Sequence, residues 1–243
     1  MRDYKSEIEK RVEFIKENIK NANADGIVYG NSGGKDSALV GILCKMACDN
    51  TLGIIMPCSS KRNFCEDMAD GKEVAEQFNI ETKIIDITDL KEQMVKNISA
   101  VTAPTEIALA NIAPRLRMTT LYAIAASENR LVAGTGNRSE AYMGYFTKWG
   151  DGAYDFNPIA DLTVTEIYEF LSFLNAPKSI IEKSPSAALF EGQTDEAEMG
   201  ISYAAIDKYL FTGEASPEEK QIIEGYHRRS EHKRSMPVQY KGE

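Results

Sequence analysis

The chain has 243 residues, 43% of them hydrophobic and 27% charged, with a formal net charge of -9 and a pI near 5.0. That is enough for one well-buried α/β domain or two small ones. The acidic balance excludes a general nucleic-acid-binding surface, which needs a basic footprint. A small anionic ligand held by a few local Lys and Arg residues stays open. No apolar run approaches the roughly 20 residues that a bilayer span takes, and the N-terminus lacks a cleavable apolar core, so no membrane partner and a cytoplasmic location are expected.

Residues 3–21 space Ile8, Val12, Ile15 and Ile19 as one face of an amphipathic helix. Residues 26–30 (Gly-Ile-Val-Tyr-Gly) read as a first buried strand, followed by a glycine-rich loop and a helix through Ala38, Leu39, Ile42, Leu43 and Met46. A second strand is expected over 51–56 with its helix over 64–78, and a third strand over 83–87 with a short helix over 90–98. Residues 106–127 read as one long helix, with Pro114 near its start or kinking it. A fourth strand over 131–134 runs into Gly134-Thr135-Gly136-Asn137, a loop able to approach a ligand closely.

An amphipathic helix is expected over 163–174, and residues 184–200 read as a long mobile loop. Ser216-Pro217-Glu218-Glu219 is a capping box with proline at the first helical position, so a C-terminal helical segment over 216–234 follows. Short apolar runs alternating with helical stretches mark a doubly wound parallel α/β sheet of about five strands. With no repeat, low-complexity tract or linker, a single domain spans 1–243, its core over about 25–210.

The four cysteines, Cys44, Cys48, Cys58 and Cys65, form no Cys-x2-Cys pair. Cys44 and Cys48 lie one helical turn apart, so a shared metal is geometrically conceivable, but the other ligands of a zinc site are missing and buried thiols are the simpler reading. Without an export signal these thiols are expected to be reduced.

The chemistry concentrates in Gly30-Asn31-Ser32-Gly33-Gly34-Lys35-Asp36-Ser37, between a strand and a helix. Parallel sheets bind ligands at the carboxyl ends of their strands. Here glycines let consecutive N–H groups turn toward a phosphate, and the helix adds its positive end. Ser32 and Ser37 can donate further hydrogen bonds, while Lys35 can add charge or point to solvent. A Walker A loop needs four residues between its glycines and then Gly-Lys-Ser/Thr, whereas here Asp36 follows the lysine. An aspartate in a phosphate cradle is unfavourable unless a divalent cation lies between them, which assigns Asp36 to Mg²⁺. The alternative is a plain glycine-rich turn with an Asp cap.

Ser-Gly-Gly-Lys-Asp-Ser resembles the signature of the ATP pyrophosphatases, enzymes that form an adenylate and release pyrophosphate. Further segments narrow the likeness: Asn111 to Met118 (Asn-Ile-Ala-Pro-Arg-Leu-Arg-Met), Gly134 to Glu140 (Gly-Thr-Gly-Asn-Arg-Ser-Glu) and Gly144 to Asp151 (Gly-Tyr-Phe-Thr-Lys-Trp-Gly-Asp). So do Asn157-Pro158-Ile159-Ala160-Asp161-Leu162, Pro185-Ser186-Ala187 and Gly192-Gln193-Thr194-Asp195-Glu196. In order, over residues 25–233, they are similar to the ammonia-dependent NAD synthetase family.

The resemblance implies an N-type ATP pyrophosphatase-like fold and the conversion of ATP, deamido-NAD and ammonia into NAD, AMP and pyrophosphate. The glutaminase domain of glutamine-dependent relatives does not fit in 243 residues, so free ammonia is the expected nitrogen donor. By the same likeness Gly30 to Ser37, Thr135 and Ser186 bind ATP, and Asp36 with Glu140 holds Mg²⁺. Arg115, Lys148, Asp155, His232 and Lys233 contact deamido-NAD, the last two in a segment that closes over the dinucleotide, in the chain itself or across the homodimer typical of the family. Asp36, Lys35 and Ser186 carry the catalytic roles.

The chain departs from the family pattern twice. Val164 stands where the family places a lysine on the ATP phosphates, with Lys35 or Lys183 as candidate substitutes. Pro114 precedes Arg115 where a residue better suited to a helix is usual. Taken singly, these residues have plainer readings: Arg115 as an exposed helix residue, Glu140 as support for the next helix, Lys148 and Asp155 as each other's partners, and the basic residues around 228–234 as a solvated face.

Overall fold

The computed structural model describes residues 2–59, 63–183 and 194–242. In chain order its elements are α1 (Tyr4–Ala22), β1 (Gly26–Gly30), α2 (Lys35–Ala47), β2 (Thr51–Ile55), a π-helical turn (Asn63–Asp67), α3 (Met68–Gln77), β3 (Glu81–Ile84), α4 (Thr88–Ser99) and α5 (Glu106–Ala110). There follow α6 (Ile112–Glu128), β4 (Arg130–Ala133), α7 (Arg138–Met143), α8 (Val164–Phe173), α9 (Lys178–Ile181), α10 (Asp195–Met199), α11 (Tyr203–Thr212), α12 (Pro217–Arg229) and α13 (Glu231–Arg234).

Among the described residues the sheet has four parallel strands in the order β3-β2-β1-β4. Ile27 of β1 stands opposite Thr51 on one side and Leu131 on the other. The strand order reverses at β1, so a crevice opens between the carboxyl ends of β1 and β4, the place where such sheets take ligands. Successive β1 side chains point to opposite faces. Ile27 and Tyr29 pack with Leu39, Ile42, Ile167 and Phe170 on one face, while Val28 packs with Ile54, Leu121 and Val132 on the other. Both faces are thereby covered, which is why β1 reads as a continuous apolar run.

The strand count falls one short of the five expected. In the place of a fifth strand, Phe156 makes one parallel bridge to Ala133, and Gly134 N–H donates to its carbonyl at 2.8 Å. Pro158, with no N–H, ends the pairing two residues later. The third strand begins earlier than the apolar run suggested, because β3 is a sheet edge with mostly exposed side chains, and Ile87 is buried beyond its end. The long helix expected over 106–127 divides at Asn111, whose amide donates to the Ile107 carbonyl at 2.7 Å. Pro114 falls in the first turn of α6, where its missing N–H costs no intrahelical bond. Residues 195–199, expected as loop, form α10 under a Thr194 cap, whereas 184–193 lie outside the described residues.

The N-terminal helix α1 is fastened by charge as well as by Tyr4, Ile15 and their apolar neighbours. The buried Arg11 guanidinium straddles Asp161 at 2.7 and 2.9 Å and also donates to Glu7 at 2.7 Å. Arg2 adds a bond to Asp161 at 2.9 Å and one to Glu166 at 2.5 Å. Partial burial works against the Asp161 charge, but Arg11 and then Arg2 outweigh it and hold the carboxyl below its ordinary value. A carboxylate so depressed contributes stability above its unfolded value, and that contribution is lost as pH falls through the lower folded value. Asp161→Asn is therefore expected to lower the denaturation midpoint at pH 7, with the difference from the parent closing as pH falls through the lower folded value; urea titrations across that range measure it.

Tyr29 is fully buried at the sheet centre, and its hydroxyl finds no hydrogen-bond partner. Gly41 of α2 makes room for it, since a Cβ there would lie 2.3 Å from the Tyr29 oxygen. Tyr29→Phe is expected to raise stability by about 1 kcal/mol by removing an unsatisfied polar group. Gly41→Ala should cost about 2 kcal/mol through overpacking, and less in the Tyr29→Phe background; a double-mutant cycle by urea denaturation reads both values.

Candidate functional site

The loop after β1 is shaped by two contacts that the motif alone does not announce. Buried Asn31 donates from its side chain to the Gly71 carbonyl of α3 at 2.9 Å, while its Oδ1 accepts Gly33 N–H at 3.3 Å. Gly33 has φ +69, and a Cβ there would lie 2.0 Å from the Asp67 carbonyl oxygen, so the position demands glycine both for its dihedral and for its closeness to the π-helical turn. Ser32 and Ser37 exchange a hydrogen bond at 3.0 Å across the loop, and Ser37 Oγ donates to the Gly34 carbonyl at 3.0 Å.

Gly34 caps α2 without a side-chain hydrogen bond. The first-turn N–H groups of this 13-residue helix thus keep their donor capacity for an anion, and the helix dipole favours one. Lys35 and Asp36 are the first two residues of the helix. Lys35 is buried at 7% exposure, with its Nζ 2.7 Å from Asp36 Oδ2 and 3.8 Å from Glu140 Oε1.

Glu140 reaches this point because Asn137 caps α7. Asn137 Oδ1 accepts the Glu140 N–H at 2.9 Å, and the Glu140 carboxylate accepts the Asn137 N–H at 3.4 Å, a capping box. The Asn137 amide, fully buried, then donates to Asp36 Oδ1 at 3.0 Å. One side chain thus sets both carboxylates, although the sequence reading did not single it out; an Asn three residues ahead of a Glu at the mouth of a loop was the available signal. Burial first, and then the Asp36 charge, push the Glu140 carboxyl above its ordinary value, with Lys35 opposing. Burial works against the Lys35 charge, but Asp36 and Glu140 outweigh it and raise the ammonium above its ordinary value.

These groups line one cavity of about 590 Å³, within the range of small-molecule sites. Its walls include Gly30 to Ser32, Gly34 to Ser37, Thr135, Glu140, Lys183 and Lys233. Lys183 donates to the Gly33 carbonyl at 3.2 Å and pairs with Asp67 and Asp70, so it braces the loop from the side. Arg117, absent from the expected set, also lines the cavity and places Nε and Nη2 on the Met56 carbonyl at 3.2 and 3.1 Å. Burial lowers its pKa, with Cys58, Asp151 and Asp67 opposing. Val164 is buried among Met143, Tyr203 and Ile206.

Of the other expected residues, Arg115, Lys148, Asp155 and His232 lie outside that wall. Arg115 donates to the Lys148 carbonyl at 3.3 Å, and the Lys148 ammonium bonds the His232 carbonyl, so the three form a rim. Lys148 and Asp155 do not pair: Asp155 accepts the Val132 N–H of β4 at 2.7 Å and the Tyr122 hydroxyl at 3.2 Å. Lys233 does enter the wall, donating to the Gly144 and Phe146 carbonyls at 2.9 and 2.8 Å. The segment that carries His232 and Lys233 therefore packs on its own chain. Ser186 lies outside the described residues.

Among the described residues no three His, Cys, Asp or Glu side chains cluster as a complete metal cage. Two facing carboxylates beside a phosphate cradle are nonetheless what Mg²⁺ uses, since it keeps waters and shares its coordination with substrate phosphates. The arrangement can hold a polyphosphate on backbone donors and offset its charge with a divalent ion.

The sequence profile of the NAD synthase family matches residues 7–237. The NH(3)-dependent NAD(+) synthetase of Carboxydothermus hydrogenoformans is 47% identical over 238 residues, which covers 97% of this chain and 97% of that protein. Among solved structures, NMN synthetase from Francisella tularensis superposes with a TM-score of 0.94 at 37% identity, over 100% of both chains. NH3-dependent NAD synthetase from Campylobacter jejuni subsp. jejuni superposes with a TM-score of 0.81 at 34% identity, over 99% of this chain and 100% of that one. With a profile match across almost the whole length and near-half identity to a full-length relative, the chain belongs to the NAD synthase family.

Proposed function

We propose that the protein is an ammonia-dependent NAD synthetase, a ligase that forms an amide bond at the expense of ATP. The observation that carries this reading is the cavity lined by both the open N-terminus of α2 and the Asp36–Glu140 pair. A carboxylate does not react with ammonia at neutral pH, because its oxygen is a poor leaving group. In the first step an oxygen of the nicotinate carboxylate of deamido-NAD attacks the α-phosphorus of ATP, and pyrophosphate leaves. In the second, ammonia attacks the carbonyl carbon of the adenylate, AMP leaves with the former carboxylate oxygen, and a proton passes to solvent.

The chain's own residues bind and orient. The α2 amides, Ser32, Ser37 and Thr135 hold the ATP phosphates, and Lys35 and Ser186 add charge and a hydroxyl to them. Lys35 stands in for the cation that Val164 does not supply. Arg115, Lys148 and His232 contact deamido-NAD from the rim, Lys233 from the wall, and Asp155 from its position beside β4. Asp36 and Glu140 would hold Mg²⁺, which supplies charge stabilisation to the pyrophosphate when bound.

Incubation with ATP, Mg²⁺, ammonium and deamido-NAD is expected to yield NAD and AMP in equal amounts. Asp36→Asn should lower kcat by at least about 100-fold. ATP binding without NAD or AMP would overturn the reading. A second acceptor is favoured by one observation, the full-length superposition on the Francisella NMN synthetase: nicotinic acid mononucleotide presents the same carboxylate without the second nucleotide. Supplying each acceptor separately and comparing kcat/KM distinguishes the two.

A homodimer belongs to the same proposal. Helix α4 buries none of its residues within the chain, and it leaves Leu90 and Met94 exposed, as α5 leaves Ile107. An amphipathic helix with its apolar side unburied is suited to a second copy. Leu90→Glu is expected to shift sedimentation from dimer to monomer, and an unchanged dimer would remove this face from the interface. A cytoplasmic setting accords with four free thiols, and no described helix is long and apolar enough to cross a membrane.

A further inference from the structure

Lys35 is unusual among the residues of the cavity in where its charge rests. It starts the helix whose amides face the phosphate position, yet its Nζ turns to the carboxylates, 2.7 Å from Asp36 and 3.8 Å from Glu140. Among the described residues neither carboxylate has another cation within ion-pair distance. The Tyr203 ring lies beneath the ammonium, its centroid 5.7 Å from Nζ, and the lysine stem is buried. A divalent ion shared by the two carboxylates would sit at roughly 2.0–2.1 Å from their oxygens. Such an ion and the ammonium compete for the same ground, and at that separation their charges repel strongly in a buried site.

We propose that Lys35 is a built-in counter-ion that holds the metal position before nucleotide arrives and transfers to the nucleotide phosphates as the metal enters. This rests on the reading of Asp36 and Glu140 as the Mg²⁺ pair. Each half of the exchange is unfavourable alone. Without phosphate the displaced, buried ammonium loses the two carboxylates it pairs with; without metal its departure leaves those carboxylates facing each other and the incoming phosphates. Metal and ATP are thereby coupled in their binding, each raising affinity for the other by the same factor. The four-carbon stem and the position of Lys35 at the first turn of α2 put both anions within one side chain's swing.

Mn²⁺ binding to the full chain, followed by the electron paramagnetic resonance signal of the free ion, tests this without turnover. The parent is expected to bind Mn²⁺ weakly alone, and about 100-fold more tightly with a non-hydrolysable ATP analogue. Lys35→Met should bind Mn²⁺ alone about tenfold more tightly than the parent, with a smaller gain from the analogue. Lys35→Gln, which keeps a polar head, should behave alike and serves if the Met variant does not fold by circular dichroism. Equal or weaker Mn²⁺ affinity of these variants without nucleotide overturns the counter-ion role. Absence of Mn²⁺ binding to the parent even with the analogue, or its survival in Asp36→Asn, overturns instead the metal pair on which the inference rests.

Discussion

Two half-buried carboxylates, Asp36 and Glu140, stand beside a helix N-terminus suited to hold phosphate, and the surrounding structure makes that juxtaposition tolerable. An anion pair next to a polyphosphate is self-defeating unless positive charge stands between. In the protein as it stands, that charge is the Lys35 ammonium. Asn137 fixes the carboxylates by giving its amide to one and capping the helix of the other. Lys183 takes up Asp67 and Asp70, so that these further acids are neutralised at the flank of the loop. The overall negative charge of the chain does not reach the phosphate position unopposed.

The loop geometry follows from its neighbours as much as from its glycines. Asn31 ties it to α3, and the Asp67 carbonyl closes against Gly33. The site therefore depends on the π-helical turn and α3, elements with no residue in the recognisable motif. Asn31 and Gly33 also join β1 to the β2–α3 side of the sheet, and Asn137 joins it to the β4 side, so the crevice between β1 and β4 is bridged at its mouth.

Much of this was legible in the sequence, for reasons that differ by element. Residues 26–30 read correctly because a strand buried on both faces has no polar side to confuse the pattern. The capping box at Ser216 marks a helix start in plain letters, and α12 begins where it says, while the amphipathic spacing from 163 finds α8, whose Thr163 cap the structure adds. The edge strand β3 was displaced, since an edge carries no apolar signature, and the break at Asn111 was missed because its side chain continues to bond the preceding turn. In the site, the loop and Glu140 came from local pattern and resemblance. Asn137, Lys183 and Arg117 owe their importance to partners in distant elements: Asn137 acts on a residue of α2, Lys183 on the loop and the π-helical turn, and Arg117 on the end of β2. Pattern along a chain does not reveal contacts across it.

The C-terminal helices contribute differently from the rest. Lys233 fastens α13 by satisfying two backbone carbonyls, those of Gly144 and Phe146, which follow the helix bearing Glu140. The wall of the cavity is thus completed only when α13 has docked. A nascent polypeptide can assemble the sheet and the glycine-rich loop before α13 is made, but it encloses the cavity only after α13 has been added. The part of the wall that Tyr226, Arg229, Ser230 and Lys233 supply comes last of all.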